Sequence, residues 1–287
     1  MRDKKLVFEC YRYQLNPVKN NQLQLFGKSI SFEELKSKKN ELFSEAILSR
    51  REIIIPGRKG TYKQVKVAQE GSLFIYKFAS QKELNHTTEE LKEERLSDYP
   101  YVYMFIDNNP QNQIIAVSRY YKAFQNTEVV INSIENFYNE KINSSQLSFF
   151  VSPILNEKDY WETIEKYRGR IRQIRFDIIR PNISNISSAL RKEMKDLIDT
   201  SNSHKTKLEL NSPEKQTLED INQNNQQIAS LSDYSIKGGG EISLKVKGIK
   251  QRIKTSESKQ KFEIAEATLK GNAQDILTIL SELANKE

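Results

Sequence analysis

Short apolar runs alternate with turn residues along the first half of the chain, a pattern typical of a protein rich in β-strands. Ser31 and Glu34 form a capping box that begins a predicted helix, and apolar residues at helical spacing predict another over Val129–Tyr138. Thr88–Arg95 is short and charged, and we expect it to be helical. The predicted strands are Lys5–Tyr13, the hairpin Val65–Phe78 with its turn at Gly71, and the pair Tyr101–Ile106 and Gln113–Ser118.

The second half follows a polar stretch, Asn139–Gln146, which has the composition of a linker. Its predicted strands are Leu147–Pro153, Arg170–Ile179 and the hairpin Glu241–Thr255. Its predicted helices are Asp159–Tyr167, Ser187–Asp199, Thr217–Leu231 and Asn272–Lys286. The sequence therefore predicts an α+β fold, with antiparallel sheets and helices packed on them. We place an N-terminal domain at residues 1–145 and a basic C-terminal domain at residues 146–287.

The composition bears on the compartment and the partners. The chain has one cysteine, Cys10, so an intrachain disulfide is impossible and a reducing compartment is expected. No apolar run approaches the length of about 18 residues that a membrane helix needs, and the start of the chain does not have the pattern of a signal peptide. We therefore expect a cytoplasmic protein that does not insert into membranes. The net charge of +7 favours nucleic acid, anionic lipid or an acidic protein as a partner.

Two basic segments of the second half form the candidate binding surface. In the first, Lys166, Arg168, Arg170 and Arg172 stand two residues apart, a spacing that places all four on one face of a strand. The second is Ile236–Lys261, which has eight Lys or Arg and two Glu in 26 residues, and it predicts a two-stranded ribbon with one cationic and one apolar face. The candidate nucleic-acid-binding residues are Lys166, Arg168, Arg170, Arg172, Arg175, Lys237, Lys245, Lys247, Lys250, Arg252 and Lys254.

These segments have a plainer interpretation as well. Alternating lysines are also typical of the solvated face of an antiparallel sheet, and lysines on edge strands prevent aggregation. The concentration of both segments in one half, with little acid nearby, favours polyanion binding. Contacts would then be made mainly to phosphate and would weaken steeply with salt. The run Gly238–Gly240 is either a place where backbone amides approach a phosphate or a flexible turn.

Groups that would support catalysis are sparse. His86 and His204 lie far apart, and with a single cysteine they make no metal-ligand spacing. A metal-dependent nuclease would need clustered carboxylates, yet Ser243 stands where a Glu-x-Lys motif after Glu241 would require Lys. The carboxylate candidates are Asp107, Asp177, Glu209 and Glu241. We expect no catalytic residue, metal or cofactor.

Aromatic residues at strand spacing are candidates for stacking on bases, although core packing is the more usual role of such residues. They are Tyr99, Tyr101, Tyr103, Tyr120, Tyr121 and Phe124. Trp161 is expected in the core too.

Gly71–Phe137 resembles the RexA family of phage-exclusion proteins. The likeness lies in Ser72–Ala79 before a charged segment, in Tyr99–Asp107 followed by Ile115–Arg119, and in the helix Thr127–Phe137. Phe8–Arg12 resembles the N-terminal strand of that family, and Phe176–Ile264 is similar to uncharacterised bacterial defence proteins. The resemblance implies a dimer that binds DNA without sequence preference and acts in abortive phage defence. The later half departs from the RexA pattern, so the site residues above come from the charge pattern alone.

Together these features predict a non-enzymatic, homodimeric protein that binds DNA independently of sequence and serves in antiviral defence. DNA is favoured over RNA as the partner. One alternative is an interaction subunit that docks on an acidic or membrane-bound partner protein. The other is a metal-dependent nuclease toxin.

Overall fold

The structure is a computed structural model that describes residues 5–18, 24–25, 28–29, 31–57, 60–266 and 273–284. Its antiparallel sheets, with helices packed on them, confirm the predicted α+β fold. Among the described residues, no helix is both long enough and apolar enough to span a bilayer.

The elements up to residue 153 are mostly strands. The strands are β1 (Lys5–Pro17), β2 (Gln24–Leu25), β3 (Lys28–Ser29), β4 (Glu52–Gly57), β5 (Gly60–Glu70), β6 (Leu73–Ser80), β7 (Lys82–Thr87), β8 (Glu93–Asp98), β9 (Tyr101–Asp107), β10 (Ile114–Ser118) and β11 (Leu147–Pro153). The helices are α1 (Phe32–Phe43), which continues as a π-helical turn over Ser44–Leu48, and α2 (Thr127–Ile142), which is followed by a 3₁₀ turn at Asn143–Ser145.

Helices and strands alternate more evenly after residue 153. The helices are α3 (Glu157–Lys166), α4 (Ser184–Ser187), α5 (Lys192–Thr200), α6 (Gln226–Tyr234), with a π-helical turn at Ser235–Gly239, and α7 (Ala273–Ala284). The strands are β12 (Ile171–Ile179), β13 (Lys205–Asn211), β14 (Gly240–Val246), β15 (Ile253–Lys254) and β16 (Lys261–Ala265), with a 3₁₀ turn at Thr255–Ser258 between the last two.

The large sheet has the strand order β11-β1-β10-β9-β6-β5-β4. β1 is long enough to have two successive neighbours on one side, because Lys5–Glu9 pairs with β16 and Tyr11–Pro17 pairs with β11. Both neighbours come from beyond residue 145, so strand pairing crosses the predicted domain boundary. The predicted linker is in fact the end of α2 and the turn after it. The division into two domains stays a prediction.

Apolar side chains cover both faces of the large sheet. Tyr11, Tyr13 and Leu15 of β1 enter a core shared with α1 and α2. Phe8 and Cys10 enter a second core that includes Ile276 and Leu280 of α7. Burial on both faces explains why the central strands β6, β9 and β10 are mostly apolar rather than alternating.

The small sheet has the order β13-β12-β14-β15 and is covered on one face only. Ile174 and Phe176 of β12 and Ile242 and Leu244 of β14 point into a core formed with α3 and α6. Most of the alternate residues of the same strands are exposed or half-buried, Gln173 being buried, and they form an open face. This open face contains a large part of the predicted binding surface.

The two sheets meet at Arg12 of β1, which is buried and makes no salt bridge to any carboxylate among the described residues. Its Nε donates to the carbonyl oxygen of Lys237 at 2.7 Å, and its Nη1 donates to that of Asn112 at 2.6 Å. Burial lowers the pKa of Arg12 to about 10. The guanidinium therefore joins the turn before β14 to the large sheet through backbone contacts.

One helix prediction was wrong, and two were wrong in part. Thr88–Arg95 forms a turn and the start of β8, in a hairpin whose strands β7 and β8 are exposed throughout. Ser187–Asp199 is divided between α4 and α5. Thr217–Leu231 becomes helical only at Gln226, because Asn225 Oδ1 accepts from the backbone at the start of α6 and caps it there. Asn272 and Lys286, predicted in the last helix, lie outside the described residues.

Candidate nucleic-acid interface

The first basic segment does not form one strand face. Lys166 is the last residue of α3, and the chain then turns through Gly169, whose φ is +69°. β12 begins only at Ile171. The prediction that Lys166, Arg168, Arg170 and Arg172 share a face was therefore wrong, because a helix end and a turn separate most of them from the strand.

On the open face of the small sheet, side chains from neighbouring strands form rows. The first row is Asn211, Gln173 and Lys245, the second is Glu209, Arg175, Ser243 and Lys254, and the third is Lys207, Asp177 and Glu241. The first row has two neutral carboxamides and one lysine. The third row has one lysine and two carboxylates, which lie directly opposite each other. The face therefore has a cationic end and an acidic end.

Arg252 lies across the first two rows. Its Nη1 donates to Ser243 Oγ at 3.2 Å, and its Nη2 donates to Gln173 Oε1 and lies 3.8 Å from Glu209 Oε2. These contacts hold the half-buried guanidinium in place. Arg252 therefore has a structural role on the face in addition to its charge.

The strand ends next to the first row bring Arg170 and Lys247 together. The amide of Lys247 donates to the carbonyl of Arg170 at 2.8 Å, and Arg170 Nη2 donates to the carbonyl of Lys247 at 3.0 Å. Gly248 follows with φ at +83°, and Lys250 lies in the loop that joins β14 to β15. We call Arg170, Lys245, Lys247, Lys250 and Lys254 the cationic end of the sheet.

Most of the predicted cations are free of acidic partners. Within the described part of the chain, seven of them are exposed and make no salt bridge, and this group contains the whole cationic end. The seven are Lys166, Arg170, Arg172, Lys245, Lys247, Lys250 and Lys254. Their charge is therefore available to a partner.

Three other predicted residues are ion-paired locally. Arg175 Nη2 lies 2.8 Å from Asp177, Arg168 Nη2 lies 3.0 Å from Glu165, and Lys237 Nζ lies 3.2 Å from Asp233. Arg168 and Lys237 also line a cleft beside α3 instead of the open face. They therefore do not belong to the cationic end.

Two lysines of the open face were not among the predicted residues. Lys205 and Lys207 lie on β13, where Lys207 is opposite Asp177. The alternation Lys-Thr-Lys-Leu-Glu-Leu-Asn over residues 205–211 is a strand signal that was available in the sequence. Both lysines are exposed at the acidic end of the face.

The acidic end approaches α2 of the large sheet. Burial raises the pKa of Glu135 to about 7, with Glu241 acting in the same direction and Lys205 opposing it. Asp177, Glu209 and Glu241 share the open face, but Asp107 is buried elsewhere and accepts from Ser72 Oγ at 2.6 Å. Among the described residues, no three His, Cys, Asp or Glu side chains are grouped so that they could hold a metal ion.

The glycine run is buried. A Cβ on Gly238 would lie 2.4 Å from Arg12 Cβ, one on Gly239 would lie 2.2 Å from the Tyr234 ring, and one on Gly240 would lie 2.1 Å from the carbonyl oxygen of Asp177. These glycines permit close packing at the junction of the two sheets. Neither sequence-based alternative, an exposed phosphate-binding loop or a flexible turn, describes them.

The remaining candidates are dispersed. Tyr103 and Phe124 are buried as expected, whereas Tyr99, Tyr120 and Tyr121 are exposed by 47%, 40% and 65%. His86 is exposed, and His204 is half-buried. Burial and the nearby Arg180 lower the pKa of His204.

Trp161 is only partly in the core. Its ring packs beside the buried Tyr160, with 4.8 Å between ring centroids, and the residue also lines the cleft beside α3.

One comparison with known proteins identifies a family. The family model described as Domain of unknown function (DUF4747) matches residues 75–285, a span that contains the complete small sheet and the cationic end. No curated protein matches the chain.

Proposed function

The chain belongs to the DUF4747 family of unknown function, and we propose that it binds the phosphate backbone of nucleic acid through the cationic end of its small sheet. The observation that supports this proposal is the gathering of five exposed cations without acidic partners around the junction of Arg170 and Lys247. Like charges that face water without counter-charges form a surface that attracts a polyanion.

The side chains at the cationic end favour binding without base readout. Four of the five residues are lysines, which act on phosphates as point charges. Base edges are distinguished mainly by bidentate contacts from Arg, Asn or Gln. Arg170 already donates from Nη2 to the carbonyl of Lys247, which leaves it fewer free donors. The binding would therefore be nearly independent of base sequence.

The acidic end limits the area of contact. Asp177 and Glu241 lie opposite each other in the third row, where Lys207 and the Arg175 partner of Asp177 only balance their charge, so this end has less net positive charge to attract a phosphate. Phosphates would therefore lie over the first row, Lys254 and the loop with Lys247 and Lys250. A role for this binding in phage defence stays a prediction from the family resemblance, and the same holds for the homodimer.

The test is a comparison of two variants that lose the same charge. The first has Lys245, Lys247, Lys250 and Lys254 all changed to Ala. The second, the control, has four exposed lysines outside the small sheet changed to Ala, namely Lys36 of α1, Lys92 between β7 and β8, Lys122 after β10 and Lys261 of β16. Fluorescence anisotropy with a labelled duplex of 20 to 30 base pairs (about two to three helical turns) gives the affinity at several salt concentrations.

We expect the first variant to bind about tenfold more weakly or worse at low salt. The slope of log affinity against log salt should fall by about 4, one for each phosphate-contacting lysine. The control variant should keep most of the affinity and the slope. Equal losses in the two variants would show that only net charge matters, and a wild-type protein that does not bind would refute the proposal directly.

A further inference from the structure

A cleft of about 780 Å³ lies beside α3, close to the cationic end but separate from it. One wall is the exposed side of α3, and the other is formed by the loop before α6 and by the turn after it. Trp161 contributes the one large aromatic surface among the described lining residues. Clefts with an aromatic wall and a few convergent polar groups are typical ligand sites.

The indole of Trp161 is placed to stack on a flat ligand. Tyr160, which is fully buried, meets it edge-on at 71° and donates or accepts a hydrogen bond with Ser232 Oγ at 2.8 Å. This packing holds the indole in place where it lines the cleft. A rigid aromatic face of this kind suits base stacking because every base has a π-face.

The loop opposite Trp161 presents two free carboxamides. Asn222 Oδ1 accepts from the amides of Asn224 and Asn225 at 2.9 and 3.3 Å, which fixes the loop. The side chains of Gln223 and Asn224 are exposed and make no hydrogen bond within the described part of the chain. A carboxamide has both donors and an acceptor, as does the edge of a nucleobase.

The charge of the cleft argues against phosphate as its occupant. Its three cations are each paired with an acid of the same lining, Lys158 with Glu162 at 3.8 Å, Arg168 with Glu165 at 3.0 Å and Lys237 with Asp233 at 3.2 Å. Glu157 adds a further acid, so the lining has four acids and three cations. A neutral, flat ring fits this balance better than an anion.

From these contacts we infer that the cleft receives an unpaired nucleobase, stacked on Trp161 and hydrogen-bonded by Gln223 and Asn224. Arg168 lines the cleft and is two residues from Arg170 of the cationic end. A strand whose phosphates lie on the cationic end would thus have a base within reach of Trp161. The inference rests on the proposed nucleic-acid binding, and it adds a preference for strands with unpaired bases.

Trp161 is the only tryptophan of the chain, so its fluorescence reports on this site alone. Two single strands of the same length serve as probes, one of thymidine nucleotides and one of abasic nucleotides. We expect the thymidine strand to quench Trp161 in a saturable manner and the abasic strand to bind with little quenching. Trp161→Ala should weaken binding of the thymidine strand about tenfold, the effect of one stacked base, and leave duplex binding unchanged.

A second variant keeps the inference testable if Trp161→Ala fails to fold. The double variant Gln223→Ala, Asn224→Ala changes only exposed side chains. It should weaken binding of the thymidine strand and leave binding of the abasic strand unchanged. Equal quenching by both strands, or a double variant that binds the thymidine strand as tightly as the wild type does, would overturn the inference while the four-lysine test still supports backbone binding. Failure of the proposed function has a different signature, in which the four-lysine variant binds duplex as the wild type does.

Discussion

Lys259 Nζ lies 3.0 Å from Glu9 Oε2, although the two residues are close to opposite ends of the chain. Both side chains are buried, at 6% and 7% exposure, and Lys259 also contacts Glu128 and donates to Tyr11 Oη at 3.2 Å. Burial lowers the pKa of Lys259, but Tyr11, Glu128 and Glu9 outweigh it and the pKa is raised. For Glu9, burial acts to raise the pKa, but the hydrogen bonds that it accepts from Thr127 and Lys259 outweigh burial, so the pKa is lowered.

Lys259→Met should therefore destabilise the fold by about 3 kcal/mol, because it leaves the Glu9 carboxylate buried beside a neutral side chain. Urea unfolding at pH 7 measures this change. Lys261→Ala is the matched control, since Lys261 is exposed on the adjacent strand and should alter stability by less than about 0.5 kcal/mol. Similar midpoints for the two variants would contradict the assigned role of Lys259.

Glu135→Gln should remove a pH dependence of stability. The folded pKa of about 7 lies above the ordinary value of 4.5, so the folded state binds the proton more tightly and loses stability as pH rises between these values. The loss amounts to about 3 kcal/mol at most. Unfolding of the wild type and the variant should coincide at pH 4 and diverge by pH 8, where the variant is the more stable. Glu140→Gln on the same helix is exposed and should show no such divergence.

Gly240→Ala should open the pairing of β12 with β14. The added Cβ would lie 2.1 Å from the carbonyl oxygen of Asp177, which belongs to the neighbouring strand and cannot move alone. We expect a loss of about 3 kcal/mol, measured by thermal unfolding. Gly71→Ala is a suitable comparison, because φ there is +55° but the space is open and the cost is about 1 kcal/mol of backbone strain. A smaller loss for Gly240→Ala than for Gly71→Ala would show that the strands separate easily.

Glu241→Gln should strengthen nucleic-acid binding. Glu241 is exposed at the acidic end, and removing one negative charge at about 10 Å in water raises phosphate affinity about twofold. Anisotropy with the labelled duplex measures this, and Glu257→Gln tests whether any exposed acid has the same effect. If Glu241 instead belonged to a nuclease site, its removal would abolish metal-dependent cleavage of the duplex.

Local chemistry made much of the fold predictable. Ser31 caps α1 by accepting from the amide of Glu34, as the capping box indicates, and Gly71 makes the turn between β5 and β6 with φ at +55°. Arg170–Ile179 was predicted as a strand and is β12 except for its first residue. Each of these depends on residues a few positions apart.

Long-range pairing determines what the sequence could not show. Lys259 is one of the cations of the second basic segment, yet it is buried against Glu9. The two residues are far apart in the sequence, so no local pattern predicts that they pair. Arg168 and Lys237 pair with acids three and four residues away, but their position in the cleft instead of on the open face depends on how α3 and the turn before β14 pack. The number of cations was predictable, but their division between the surface, the cleft and the interior depends on the tertiary fold.

The pairing of β1 with β16 has a consequence for synthesis on the ribosome. The partner strand of Lys5–Glu9, Lys261–Ala265, is made about 250 residues later, which at 5 to 20 residues per second takes roughly 10 to 50 s. During that interval the apolar edge of β1 has no native neighbour at this position. The sheet of the nascent chain is therefore incomplete during this interval. The unpaired apolar edge of β1 is then exposed as a binding surface for a holding chaperone.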